Sequence, residues 1–363
     1  RRRQFRCTEV CRPYSCMQPK LKRVYLPKIR TAVVLTICAV VVLFVAKVTL
    51  WGMRMMRETG ITPGFALRLM FDDGAPLKET DNRTNVLVLG MGGGAHMGAD
   101  LTDTMMALSF NNRSRTLALV SIPRDIWSDT LQDKVNSAYH YGEEKKVGGG
   151  LVLAKAIIAE TIGMPMHYGL VIDFSGFQEM IDLVGGIDVV VPRAFADPQF
   201  PIAGREDDTC DGDPKRQCQY ETLQFDAGLT HMDGALALKY VRSRHAEGEE
   251  GGDFARSRRQ QDVLIALKEK LVQPVIWVSP GRGTAILGIL DRATETDLNI
   301  GELMTVGKRI GQTGERRVQK ISFEDQLTSP PTWLYGRYVL VPTESFESLH
   351  EFISQKLEEF KGF

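Results

Sequence analysis

The chain has 363 residues, 43% hydrophobic and 25% charged, a mix that excludes bulk disorder and leaves material for a large core. Its 45 Lys and Arg balance its 45 Asp and Glu, which excludes a surface tuned as a whole to nucleic acid. Any strongly charged stretch is therefore a local feature with a local ligand.

Residues 1–30 are rich in Arg and Lys and hold one acid, Glu9. The run TAVVLTICAVVVLFVAKVTLWGM, 31–53, is apolar except for Lys47 near its far end, where a lysine can snorkel to the interface. This predicts one transmembrane helix in the cell membrane, with residues 1–30 as a cytoplasmic basic tail and the remainder extracytoplasmic, by the positive-inside rule. A cleaved signal peptide fits less well, because the basic segment is long and no A-x-A site follows the run. Gly60, Pro63, Gly74 and Pro76 mark residues 54–81 as a juxtamembrane stalk. Cys7, Cys11 and Cys16 lack metal-site spacing and Cys38 lies in the apolar run, whereas Cys210 and Cys218 flank a polar Gly/Pro loop where an oxidising exterior allows a disulfide.

The remaining residues, 82–363, read as one domain. NVLVLG (85–90), TMMALSF (104–110) and RTLALVSIP (115–123) are three apolar strands separated by turn residues. GLVLAKAIIAETIG (150–163) has helical spacing, YGLVIDF (168–174) is a strand, SGFQEMIDLVGG (175–186) a helix closed by glycine, and IDVVVP (187–192) a strand. Downstream, 291–311 predicts a helix, RRVQKISF and RYVLVP predict strands, and 344–360 predicts a final amphipathic helix. Apolar strands alternating with amphipathic helices predict a three-layer α/β/α sandwich with a mixed central sheet.

Three stretches could carry chemistry. GMGGGAHMG (90–98) follows a strand but leads into another strand through ADLTDT, so a dinucleotide-binding turn, which opens a helix, does not fit. Asp100 and Asp103 in ADLTDT could hold a hard divalent cation, though Asp and Thr also build turns. SIPRD ends its strand with proline and displays Arg124 at a strand end, where ligands of α/β sheets gather. The third stretch, YVRSRHAEGEEGGDFARSRRQQDV (240–263), concentrates five arginines. Read as a strand, KYVRSRH puts Tyr240, Arg242 and Arg244 on one face; a helix starting near Asp253 puts Arg256, Arg259 and Gln260 on one face. Guanidinium forks and a helix N-terminus suit a pyrophosphate or another polyanion. The competing use of these arginines is an ion-pair lattice with Glu247, Glu249, Glu250 and Asp253.

Taken in order, SIPRD, KVNSAYHYG, YGLVIDFSGFQEMIDLVGGIDVVVP, GLTHMDGALALKYVRSRH and DFARSRRQQ resemble the LytR-CpsA-Psr family, over about residue 82 to the C-terminus. The resemblance implies a membrane-anchored phosphotransferase that moves a glycopolymer from a polyprenyl-pyrophosphate carrier to an envelope acceptor, usually peptidoglycan, through a phosphodiester. It implies a pyrophosphate clamp of Arg124, Arg242, Arg244, Arg256, Arg259 and Gln260, with Asp103, Arg124, Arg242 and Arg259 catalytic. It also implies Mg²⁺ or Mn²⁺ on Asp103, and an apolar tunnel for the lipid between sheet and helices. Where the family has the aspartate of G-x-D this chain has Gly92, and where it has the arginine of R-S-D-T this chain has Leu101. Asp100 is the expected substitute for the missing carboxylate. Candidates for the general base are Asp103, Asp125 and His245. Two other readings stay open: a non-catalytic binding regulator of the attenuator type, and a hydrolase that uses water as acceptor. Nucleic acid is not an expected partner, since a tail of about thirty residues is too short for a helix-turn-helix domain.

Overall fold

A computed structural model describes residues 26–59, 64, 74–92, 101–205, 207–278 and 281–360. The tail cysteines, Asp100 and most of the glycine loop lie outside the described residues. The chain divides into two compact units, Arg1–Gly60 and Ile61–Phe363. The first holds helix α1 (Leu26–Thr59), in which Val33, Val34, Leu35, Ile37 and Val40 are all more than half exposed. Among the described residues no helix is long and apolar enough to cross a membrane. Helix α1 begins within the expected basic tail and runs on to Thr59, into the expected stalk.

The second unit is built on strands β1 (Arg83–Met91), β2 (Thr102–Asn111) and β3 (Thr116–Ser121), the three runs expected from sequence. Next come helices α2 (Ala138–Lys145) and α3 (Gly150–Ile162), strand β4 (Tyr168–Asp173) and helix α4 (Phe174–Leu183). Strands β5 (Ile187–Val191), β6 (Phe195–Pro201), β7 (Tyr220–Phe225) and β8 (Gly228–Met232) lead to helices α5 (Gly234–Arg242) and α6 (Gly252–Leu271). Helix α7 (Arg282–Ala293), strand β9 (Thr294–Thr296), helix α8 (Ile300–Gly311), strand β10 (Val318–Ile321) and helix α9 (Phe346–Glu359) complete the frame.

The central sheet has the order β9-β4-β1-β2-β3-β10. Strands β1, β2 and β3 form an antiparallel meander, whereas β4 joins β1 and β10 joins β3 in parallel, so the sheet is mixed. Both faces are covered, which explains why the first strands read as continuous apolar runs. On one face Leu87, Leu89, Ala107 and Val120 pack against Ile157 and Ile158 of α3 and Ile353 of α9. On the other, Met106, Phe110, Leu117 and Leu119 meet Leu264 and Ile265 of α6 and Ile310 of α8. The layers are helix, sheet, helix, as the alternation of elements predicts.

Strand β5, expected from IDVVVP, pairs with β8 in a ladder separate from the central sheet, with alternating burial that leaves one face wet. Three expectations need correction. The helix expected over 291–311 is split by β9, which pairs with β4. RYVLVP shrinks to a two-residue ladder at Val341–Pro342. The end of the expected stalk belongs to the domain: Leu77 packs with Val86 and Tyr168, and Lys78 N donates to Tyr168 Oη at 2.9 Å. The expected Cys210–Cys218 disulfide is present, with Cα atoms 5.6 Å apart, in the exposed loop between β6 and β7. Closing so short a loop stabilises the fold by about 2.5 kcal/mol in the chain-entropy account.

Candidate active site

The site forms where β1 ends and β2 begins. The register there shifts, with Gly90 opposite Thr104 and Met91 opposite Thr102. Asp103 is therefore the extra residue of a β-bulge, a device that re-aims a side chain out of the pleat. Its carboxylate accepts a short hydrogen bond from Arg124 Nη1, delivered from the turn after β3. Arg124 Nε lies 3.5 Å from Asp125 Oδ2, and Asp125 also takes Lys134 Nζ. Burial lowers the Arg124 pKa, but Asp103, Asp125 and Asp253 more than offset it and leave the guanidinium above its ordinary value.

Helix α6 begins at Gly252, as expected near Asp253. Its first turns carry Arg256, whose Nη2 is 2.9 Å from Asp253 Oδ1 and donates to Asp103 O at 3.4 Å. Among the described residues, the buried Nε of Arg256 has no hydrogen-bond partner. Gln260, one turn on, donates to Thr104 Oγ1 at 2.8 Å.

KYVRSRH is not a strand. Asp233 caps helix α5 by accepting from Leu236 N, and the helix runs to Arg242, burying Ala237, Tyr240 and Val241 on one face. Tyr240, Arg242 and Arg244 therefore do not share a face. Tyr240 is in the core, with its hydroxyl pushed up to about 12 by burial and the nearby carboxylates of Asp262 and Glu250. Arg242 ends the helix with its guanidinium 5.0 Å from the Phe174 ring and 5.7 Å from Phe200. Arg244 and His245 follow on an extended turn.

That turn is pinned from behind by two residues. Asp197 of β6, wholly buried, accepts from Ser243 Oγ at 2.8 Å, Arg244 N at 3.0 Å, His245 N at 3.1 Å and Gln199 N at 3.1 Å. Burial alone would raise its pKa, but these hydrogen bonds bring the carboxyl below its ordinary value. Arg259 takes the carbonyl side: Nε donates to Tyr240 O at 3.1 Å, Nη2 to Ser243 O, and Nη1 to Glu250 O at 3.0 Å. Its guanidinium also stands 4.8 Å from the Phe195 ring. Arg259 is 2% exposed and bound to protein groups, so the ion-pair alternative holds for it through Glu250 and in part for Arg256 through Asp253, whereas Arg258 donates to the backbone carbonyl of Glu249.

The result is a cleft of about 340 Å³ lined by Asp103, Arg124, Arg242, Arg244, Arg256 and Gln260, together with His245 and Asp197. Six of the expected residues meet there; Arg259 does not line it, and Asp100 lies outside the described residues. Sequence reasoning missed Asp197, whose only local signal is a lone aspartate in an alternating strand. The cleft shares Thr104, Phe174, Val241 and Gln260 with an apolar crevice of about 60 Å³, lined further by Val88, Met106, Phe177, Leu238 and Leu264. A larger hollow of about 1040 Å³ opens at the other end of the sheet, where β1 starts, and holds none of the expected residues.

For a divalent cation the cleft offers Asp103, whose side chain is 40% exposed. Among the described residues the one cluster with metal-ligand spacing is Asp208, Cys210 and Cys218, and its thiols are in the disulfide. One carboxylate beside phosphate oxygens is an ordinary set for Mg²⁺, so Asp103 fits that role.

The comparisons with known proteins bear on the family and the fold. A polyisoprenyl-teichoic acid–peptidoglycan teichoic acid transferase TagU from Oceanobacillus iheyensis is 30% identical over 234 residues, 63% of this chain and 63% of that protein. The chain thus spans less than two thirds of the length of that relative. The regulatory protein MsrR of Staphylococcus aureus is 27% identical over 263 residues, 70% of each chain. The crystal structure of Bacillus subtilis TagV shares the fold with a TM-score of 0.54 at 22% identity, covering 77% of this chain and 99% of that one. TagT bound to LI-WTA gives 0.53 at 20% identity, covering 79% and 95%. A model of the LytR_cpsA_psr family matches residues 67–353, and the chain is a member of that family.

Proposed function

We propose that the protein transfers a glycopolymer from a polyprenyl-pyrophosphate carrier to a hydroxyl of an envelope acceptor, peptidoglycan in the first place. The observation that carries this reading is a pair of adjoining pockets of two characters. A small apolar crevice, suited to the first part of a prenyl chain, shares Thr104, Phe174, Val241 and Gln260 with a cleft that Arg124, Arg242, Arg244 and Arg256 line together with Asp103. Buried N–H groups of Arg124 and Arg256 without hydrogen-bond partners among the described residues suit phosphate oxygens. The relatives named for teichoic acid transfer support the same chemistry.

In the proposed reaction the acceptor oxygen bonds to the sugar-linked phosphorus while the bond from that phosphorus to the bridging oxygen breaks. Polyprenyl phosphate leaves with the electron pair, and the hydroxyl proton passes to a base, for which the candidates are Asp103 where no metal holds it, Asp125, and His245 in the cleft lining. The arginines neutralise the charge that builds on the leaving phosphate. Asp103, with Asp100 beside it in sequence, would hold Mg²⁺ or Mn²⁺, which supplies further charge neutralisation at the phosphates. Helix α1, with its exposed apolar positions, would anchor the protein in the cell membrane.

The test uses the full chain in detergent micelles with a polyprenyl-pyrophosphate glycan, Mg²⁺ and peptidoglycan fragments. Release of polyprenyl phosphate with glycan appearing on the fragments is expected from wild type, and neither from Arg124→Ala. Release without glycan on the fragments would identify a hydrolase, and binding without release would identify a regulator.

A further inference from the structure

The contacts give the cleft a direction. Strand β2 passes from Met106 and Thr104, which line the crevice, to Asp103, which meets Arg124. Beyond Arg124 comes Asp125, which takes Lys134, and the Lys134 ammonium lies 5.9 Å from the Tyr338 ring. The Tyr338 hydroxyl is pushed up by burial and by the charges of Asp125 and Asp253, two acids of the Arg124 end. The path from the crevice through Asp103 and Arg124 thus ends on aromatic rings.

Those rings belong to TWLYGRY, 332–338, fastened to the segment that carries Arg124. Leu340 N donates to Asp125 O and Trp127 N to Leu340 O, both at 2.9 Å, and Arg337 Nη1 donates to Asp133 Oδ1 at 2.8 Å. Trp127 and Tyr335 stack edge-on with centroids 4.9 Å apart. On this firm base Trp333 is 80% exposed and Tyr338 48% exposed. Rings so exposed contribute little to the core, and on a segment tied to Asp125 and Trp127 they offer a binding surface next to the Arg124 end of the cleft, whose own lining holds none of them.

In phosphoryl transfer the attacking and leaving oxygens stand roughly in line with phosphorus between them. With polyprenyl phosphate departing toward the crevice, the acceptor hydroxyl arrives from the opposite, aromatic end. We infer that Trp333, Tyr335 and Tyr338, with Trp127, form the docking shelf for the acceptor, a glycan strand whose sugar rings lie against the aromatic faces. This assignment rests on the transferase reading. Aromatic residues suit such a ligand because they combine an apolar face with a polar edge and lose little conformational freedom on binding. A lipid surface also attracts Trp and Tyr, but an anionic leaflet calls for a basic excess. Here Lys134 and Arg337 are each matched to an aspartate.

The full chain is titrated with soluble peptidoglycan fragments, and initial rates are measured against fragment and against donor. In Trp333→Ala, fragment binding weakens about tenfold and the KM for fragments rises alike, while the KM for donor and the melting temperature hold. Fragment binding that is absent in wild type, or equal in wild type and variant, overturns the shelf. So does a loss confined to co-sedimentation with phosphatidylglycerol vesicles, which would make the surface a membrane contact. Binding is read without turnover, so fragment binding that depends on Trp333 in a chain that transfers nothing would retire the transferase reading and keep the shelf.

Discussion

Arg256 and Arg259 stand three residues apart on α6 and serve two regions built on opposite terms. Behind the cleft, Arg259 and Asp197 hold the turn at Ser243–His245 from its carbonyl and amide sides, and both are buried with their hydrogen bonds satisfied. On the cleft floor, Arg124 and Arg256 keep buried N–H groups without hydrogen-bond partners among the described residues, next to a half-exposed Asp103. The wall has stability and no spare valence; the floor has spare valence and needs the wall to hold it. Residue type alone does not separate structure from chemistry here, whereas hydrogen-bond satisfaction does.

The difference can be broken by mutation. Arg259→Ala should have the largest effect, destabilising the fold by about 3–5 kcal/mol, because it strands Glu250 and leaves the Ser243 and Tyr240 carbonyls unmatched. Denaturant unfolding of the full chain measures it, and a near-native midpoint would place Arg259 with the floor residues. Arg256→Ala should do the reverse, lowering the transfer rate by on the order of 10²–10³-fold with a much smaller change in midpoint. A smaller effect sharpens the same contrast through pH. The Asp197 carboxyl sits below its unfolded value, so its contribution is present at neutral pH and is lost as pH falls below about 3.9, the ordinary Asp value, toward the folded pKa. Melting curves of wild type and Asp197→Asn between pH 7 and pH 3 should therefore converge at the acid end, and parallel curves would contradict the assignment.

Much of the frame was legible in sequence because its signals are local. Continuous apolar runs named β1, β2 and β3, the spacing of the residues from Asp253 onward named the start of α6, and two cysteines around a polar loop named the disulfide. KYVRSRH misled because a window opened at Lys239 begins after the Asp233 cap, and Tyr240, Arg242 and Arg244 then alternate like a strand. Widened to Ala237, the spacing of Ala237, Tyr240 and Val241 is helical, and those are the buried positions. The division of labour between Arg256 and Arg259 was not legible, since it depends on the distant Phe195 and on a turn whose path only the tertiary structure sets. Nor was the placement of Asp103, because a bulge is a property of two paired strands.

The start of α6 has a further consequence for how the gene can vary. Arg256, Arg259 and Gln260 reach three different neighbours from successive positions on one helix. One residue inserted or deleted between Arg256 and Arg259 would turn the later positions by about 100° relative to the first. Substitution there changes a single contact, but a change of length uncouples the floor from the wall at once. The loop closed by Cys210 and Cys218 joins the same β6 that carries Asp197, yet it is exposed and can lengthen or shorten without rotating anything. Insertions should accordingly collect at that loop and be absent from the first turns of α6.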